Sequence, residues 1–313
     1  MCGVMSTSIA ALMVATPLFV IILRELGLDA AFYDRPSFVT DLRLGVPLVL
    51  TNMVDFVLAA SDRYLIALYL SVTDVGYYVP GYVLGSVIIF LPKAIGTAFP
   101  QLLSRAIDRG DEAEGQTMLN YTVKIFLLLA IPFVFGCAVL GQPILALLAN
   151  EQVAARARLV APIVALGTLF YGLSQLLANA LFVKLNTRAM FQVNLVAGLS
   201  NLAANVVLLY FFRSILVAAL TTLAAYVMAF AWGYVVVGRE WHIDYSVGAV
   251  VKSIAASIAM TAALAAATTR LAGHGIGTLL GLCVLGLGVY AGALLTLRTF
   301  SDKEMLFVRR LLA

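Results

Sequence analysis

The sequence predicts an all-α, polytopic membrane protein with about nine transmembrane helices, and three observations predict it. Hydrophobic residues make up 63% of the 313 positions, charged residues 12%, and the mean hydropathy is +1.02. Soluble domains carry about 25% charge, so hydrocarbon rather than water is the main solvent of this chain. Apolar runs long enough to cross a bilayer as helices, roughly 20 residues each, recur from end to end between short polar breaks.

The runs fall near 2–23, 44–70, 76–102, 122–147, 158–182, 190–211, 214–237, 247–270 and 276–297. The first lacks the positive n-region of a signal peptide and is too long for its apolar core. It reads as a span running from outside to inside, followed by Arg24 and Arg35, and suggests that earlier helices are missing. The second and third are longer than a bilayer needs, which tilt or a kink accommodates. Pro80, Pro92 and Pro100 punctuate the third; each removes a backbone donor and permits bending. The later runs are separated by Ser104–Asn120, Asn150–Arg158, Lys184–Arg188, Arg239–Ser246 and Gly273–Gly275.

Lys and Arg orient the spans, because cytoplasmic loops retain them. Alternate breaks, starting after the first span and including the C-terminal tail, hold fourteen of the twenty basic residues; the opposite breaks hold four. The expected topology therefore has a cytoplasmic C-terminus. Arg63 and Lys93 are the remaining two, and both lie inside spans.

Several function classes are excluded at this level. The net charge of +4 is scattered through short loops rather than gathered in a stripe, so nucleic acid is not an expected partner. Cys2, Cys137 and Cys283 sit singly in apolar runs, and His242 and His274 lie in separate loops, so neither a metal site nor a disulfide is expected. No phosphate loop, nucleophile elbow or HExxH pattern appears. No cofactor and no enzyme activity are expected.

The polar residues inside the spans are the best functional clue. A charge at membrane depth costs roughly 2.5–3.5 kcal/mol on insertion scales. Asn52, Asp55, Ala59 and Asp62 share one helical face of the second span. Ser86, Lys93, Thr97 and Gln101 share a face of the third. Tyr171, Gln175 and Asn179 follow i, i+4, i+8 in the fifth, and Asn194, Gly198, Asn201 and Asn205 form a stripe in the sixth. Four such stripes suit a bundle around a wet cavity. Each also has a structural alternative. The Asn stripe could serve close helix packing, Asp62 and Arg63 could neutralise each other, and Lys93 could snorkel to the interface.

Particular segments resemble a known family. Gly45-Val-Pro-Leu-Val, Ser61-Asp-Arg-Tyr-Leu-Ile and Asp74-Val-Gly-Tyr-Tyr resemble the opening of the second lobe of polysaccharide-biosynthesis flippases. These are the O-antigen, or Wzx-type, members of the multidrug/oligosaccharidyl-lipid/polysaccharide exporter superfamily. Tyr33-Asp-Arg-Pro-Ser-Phe and Asp41-Leu-Arg resemble the linker between lobes; Phe99-Pro-Gln-Leu-Leu-Ser-Arg and Asn186-Thr-Arg resemble later elements. The resemblance implies one six-helix lobe plus flanking helices. Residues 1–24 would be the last helix of a truncated first lobe, 25–43 a cytoplasmic linker, 44–240 the lobe, and 241–313 two further spans and a cytoplasmic tail.

The implied function is flipping of a lipid-linked oligosaccharide across the bacterial inner membrane for surface polysaccharide biosynthesis. Its implied partners are an undecaprenyl-pyrophosphate-type glycan, membrane lipid, a polysaccharide polymerase and the absent lobe. Asn52, Asp55, Asp62, Arg63, Lys93, Gln175, Asn179, Asn194 and Asn201 would line the substrate cavity. Arg63 and Lys93 would hold the pyrophosphate, and Asp55 would carry a coupling proton or cation. A cation-coupled multidrug exporter and a non-transporting fragment are the rival expectations.

Overall fold

The computed structural model describes residues 13, 15–21, 24, 34–239, 241–270 and 275–299. The expected span at 2–23 lies mostly outside the described residues, as does the tail beyond 299. Among the described residues every regular element is helical, and eight helices are long and apolar enough to cross a membrane. The chain is an all-helical, polytopic membrane protein.

Contacts divide the chain into residues 1–46 and residues 47–313. In the first unit, described residues are helical at 15–21 and again from Arg35. Helix α1 (Arg35–Tyr69) starts where the Asp34 carboxylate accepts from the Ser37 backbone N–H and hydroxyl, at 3.2 and 2.6 Å. Asp34 is thus an N-cap, and Pro36 sits in the first turn, where its missing N–H breaks no bond. Residues 35–43, expected to be linker, belong to this same helix.

In the second unit, the expected third span is two helices, α2 (Val72–Ser86) and α3 (Phe90–Asp108), joined by a 3-10 turn at Val87–Ile89. Pro92 has no N–H to give the carbonyl of Ile88, so the ladder is interrupted there. Helix α4 (Glu112–Leu148) starts ten residues before the expected boundary, at the Asp111 cap, whose carboxylate accepts from the Glu114 N–H at 2.9 Å. At 37 residues it is about 55 Å long, so its first polar turns extend past the hydrocarbon. A short helix α5 (Glu151–Ala157) follows. Then come α6 (Val160–Val183), α7 (Thr187–Phe212), α8 (Ile215–Val237), α9 (Val247–Arg270) and α10 (Ile276–Thr296), each within three residues of its expected bounds.

Helix α6 is the packing hub. It touches α2, α3, α4, α7 and α8, and 67% of its most apolar stretch is buried. Its close approach to α2 depends on glycine: a Cβ on Gly85 would lie 2.9 Å from both the Ala165 nitrogen and Val164 Cβ. Without a side chain there, the Thr168 hydroxyl reaches the Gly85 carbonyl at 2.9 Å. Such small-residue contacts replace hydrophobic driving force between helices in lipid.

Helices α9 and α10 pack on each other and on α4, where Leu128 and Leu140 meet Met260, Leu264 and Leu282. The segment leading into α9 is stapled down rather than free. Trp241 and Ile243 are buried in the main core, His242 N–H donates to Gln116 Oε1 at 3.0 Å, and Asp244 N–H donates to Asn120 Oδ1 at 3.1 Å. This strap fixes the last pair of helices to the α4 side of the bundle.

Candidate functional site

Two carboxyls on α1 organise the polar interior. Asp55 and Asp62 are seven residues, hence about two turns and 10 Å, apart on one face. Asp62 is only 1% exposed. Its Oδ1 accepts from Asn205 Nδ2 at 2.6 Å, and its Oδ2 accepts from the hydroxyls of Tyr78 at 2.8 Å and Thr222 at 2.7 Å. The donors come from α7, α2 and α8, so one carboxyl joins four helices. Asn205 in turn donates to Asn201 Oδ1 at 3.2 Å and accepts from the Thr221 hydroxyl at 2.5 Å.

The alternative in which Asp62 pairs directly with Arg63 is not what the structure shows. The three donors to Asp62 are all neutral, and the Arg63 guanidinium lies 5.4 Å from the centre of the Tyr82 ring. That is a cation–π placement, and it leaves Arg63 Nε buried without a hydrogen-bond partner. Adjacent residues on a helix point about 100° apart, which is why neighbours in sequence do not pair here. Asp62 and Asn201, expected to line a substrate path, are each 1% exposed and tie helices together instead.

Asp55 sits in a more open tier. Its Oδ1 accepts from Asn194 Nδ2 at 3.1 Å, it hydrogen-bonds the Tyr171 hydroxyl, and it feels the charge of Lys93. Tyr171 also hydrogen-bonds Gln175. The structure therefore brings Asp55, Lys93, Gln175 and Asn194 together from α1, α3, α6 and α7. Lys93 is exposed. Asn52 is exposed one turn along α1, and Asn179 lies against α3, 3.6 Å from where a Cβ on Gly96 would stand. Gly198 answers the packing alternative: a Cβ there would meet Val54 Cγ1 at 2.6 Å, so it lets α7 close on α1 and places Asn194, Asn201 and Asn205 within reach.

Three tyrosines that the expected polar stripes did not include, Tyr78, Tyr82 and Tyr226, cluster with Tyr171 between these tiers. Tyr78, Tyr82, Tyr171 and Tyr226 are all at most 9% exposed. Tyr78 and Tyr82 are spaced i, i+4 beside Gly81 and Gly85, and Thr221-Thr222 interrupts an otherwise apolar α8. Those polar groups at helical spacing were the available signal.

A second feature is apolar. Helices α2, α3, α4, α9 and α10 enclose a groove of about 720 Å³ walled by residues such as Leu91, Ala94, Phe133, Met260 and Leu287. Tyr290 supplies its rare polar atom, and that hydroxyl is spent on the Leu128 carbonyl at 2.6 Å. Lys93 and Ala94 are neighbours on α3, so one helix presents a cation on one side and the groove on the other. Among the described residues, no three His, Cys, Asp or Glu side chains gather as metal ligands do.

The family model described as lipid II flippase MurJ matches residues 48–285. The chain belongs to the MurJ family. This places it in the exporter superfamily that the sequence resembles, a superfamily of transporters rather than catalysts. No curated protein matches it. A solved structure, the lipid II flippase MurJ in an inward closed conformation, shares the fold at a TM-score of 0.64 and 17% identity. The match covers 94% of this chain and 60% of that one, so the chain spans about 60% of the length of the MurJ structure it matches.

Proposed function

We propose that this MurJ-family chain takes part in flipping a lipid-linked glycan across the bacterial inner membrane, with its C-terminus in the cytoplasm. The observation that carries this reading is α3: it places Lys93 beside Asp55 on one side and a long apolar groove on the other. An undecaprenyl-pyrophosphate glycan has matching parts. Lys93 and Arg63 attract the pyrophosphate, Asn52, Gln175, Asn179 and Asn194 offer hydrogen bonds to sugars, and the groove takes polyprenyl chain. Helices α1 to α8 provide the six spans of one lobe, and α9 with α10 form the additional pair. A complementary lobe supplies the facing wall, and alternating access follows from rocking of the two. Asp55 carries the coupling proton, with Lys93 as the charge it exchanges for substrate.

The family name points to the peptidoglycan precursor, and the sequence resemblance to surface-polysaccharide intermediates. Both share pyrophosphate, sugar and polyprenyl, and a polymerase is the natural consumer of either. The test expresses Lys93→Ala and Arg63→Ala in the complete transporter and measures flipping of labelled lipid II and of a lipid-linked polysaccharide unit in vesicles. Loss of at least ten-fold on one substrate, at unchanged membrane level, is expected and identifies which it is. Wild-type flipping of both substrates by both variants would overturn the assignment.

A further inference from the structure

We propose that Tyr290 is the pin of a proline hinge in α4: its hydroxyl takes the place of the N–H that Pro132 lacks, and so the last helix pair sets the line of α4 and the width of the apolar groove. In an unbroken helix the Leu128 carbonyl would accept from the N–H of residue 132. Residue 132 is proline, inside a helix of 37 residues. That carbonyl is therefore left over within the span, where no water can satisfy it. The Tyr290 hydroxyl of α10 donates to it at 2.6 Å.

A tyrosine has one proton to give. Since it goes to Leu128, Ser253 of α9 is the donor in its 2.8 Å contact with Tyr290. The three helices are thus joined in one direction, from α9 through α10 to the α4 backbone. Ser253 is 0% exposed and Tyr290 is 6% exposed. Phenylalanine would fill the same place without a hydroxyl to bury, and a buried hydroxyl costs free energy unless it is hydrogen-bonded. Here both hydroxyls are spent, and the group they serve is a carbonyl freed by a proline four residues on.

The hinge stands on the groove. Pro132, Gly136 and Cys137 contribute to its α4 wall, and Leu282, Gly286 and Tyr290 to its α10 wall. Gly136 is one turn past Pro132, and a Cβ there would meet nothing within 4 Å. This stretch of α4 thus has room to move and a backbone that bends readily. With the Tyr290 bond made, α4 keeps its line and the groove its width. With it broken, the part of α4 beyond Pro132 swings relative to α9 and α10. What the width admits, a polyprenyl chain, rests on the function proposed above; the pin itself does not.

The experiment reads the hinge without substrate, so its outcome is separate from that of flipping. Cys137 is a built-in reporter, buried on α4 just past Pro132. In a Cys2→Ser, Cys283→Ser background it is the one thiol of the chain. Its labelling by a membrane-permeant maleimide is followed in the purified 313-residue protein in lipid nanodiscs. Tyr290→Phe keeps the ring and should quicken labelling by at least about three-fold, the population change given by an interhelical hydrogen bond of average strength. Pro132→Ala restores an N–H to Leu128, so Tyr290→Phe added to Pro132→Ala should label no faster than Pro132→Ala alone. Amide exchange gives a second reading that needs no change at Pro132: Tyr290→Phe should speed exchange in residues 129–148 of α4 and leave α8 as it was. Cys137 as protected in Tyr290→Phe as in wild type overturns the proposal. So does unchanged exchange in α4. An acceleration that persists in full over Pro132→Ala overturns it as well, because the hydroxyl would then be a packing contact of α10 alone.

Discussion

Replacing Asp62 with alanine is the sharpest test of what holds the membrane bundle together. The substitution removes the acceptor of three hydrogen bonds, from Tyr78 at 2.8 Å, Asn205 at 2.6 Å and Thr222 at 2.7 Å, and strands donors on α2, α7 and α8. Interhelical hydrogen bonds in membranes are worth about 0.6 kcal/mol on average and up to about 1.7. Three of them, lost at a position 1% exposed to solvent, predict a destabilisation of roughly 2–5 kcal/mol. Asp62→Asn keeps the volume and one acceptor oxygen, so it should lose about half as much. The assay is equilibrium unfolding of the full chain in bicelles, followed by Trp241 fluorescence, since that indole is buried in the main core. Should Asp62→Ala unfold within about 0.5 kcal/mol of wild type, smaller than the average contribution of one bond, the hub would not exist. Lys93→Ala is the matched control: Lys93 is exposed and should leave unfolding unchanged.

Two further outcomes follow from packing. Gly85→Ala should destabilise by about 1–3 kcal/mol, the usual cost of overpacking, because its Cβ meets the α6 backbone; Gly76→Ala, with nothing within 4 Å, should not destabilise in the same unfolding assay. In a Cys2→Ser background, the exposed Cys283 in the apolar groove should react with a membrane-permeant maleimide much faster than the buried Cys137. Added polyprenyl phosphate should slow that reaction several-fold. Unchanged labelling at saturating lipid would remove the groove as a chain-binding surface.

The span pattern was legible in the sequence because hydrocarbon imposes it residue by residue. A charge or a turn ends an apolar run wherever it falls, and α6 to α10 accordingly stand within three residues of their expected bounds. Helix α4 was misjudged at its start because Glu112 to Gln116 is polar yet helical, capped by Asp111 and reaching past the membrane. Residues 35–43, expected as a linker, are helical as well, with Asp34 as the cap. A hydropathy run marks where lipid ends, not where helical hydrogen bonding ends.

Helical spacing also sufficed to place Asp55 and Asp62 on one face and the Asn residues of α7 on another. It could not say what each face meets. That Arg63 lies over Tyr82 depends on where α2 stands, and that depends on Gly81 and Gly85 letting it close on α6. Tyr78, Thr222 and Asn205 are spread over 144 residues of chain and become one site only when three helices converge on a single carboxyl. The sequence alone determined the solvent of this protein, its helical spans and the intramembrane acids, because those follow from the cost of polar groups in lipid. Tertiary structure alone decided that Asp55 stays half-buried beside Asn194 and Lys93 while Asp62 is sealed among neutral donors. The reason is geometric: hydrogen bonds act over about 3 Å, and only packing brings groups so far apart in sequence within that reach.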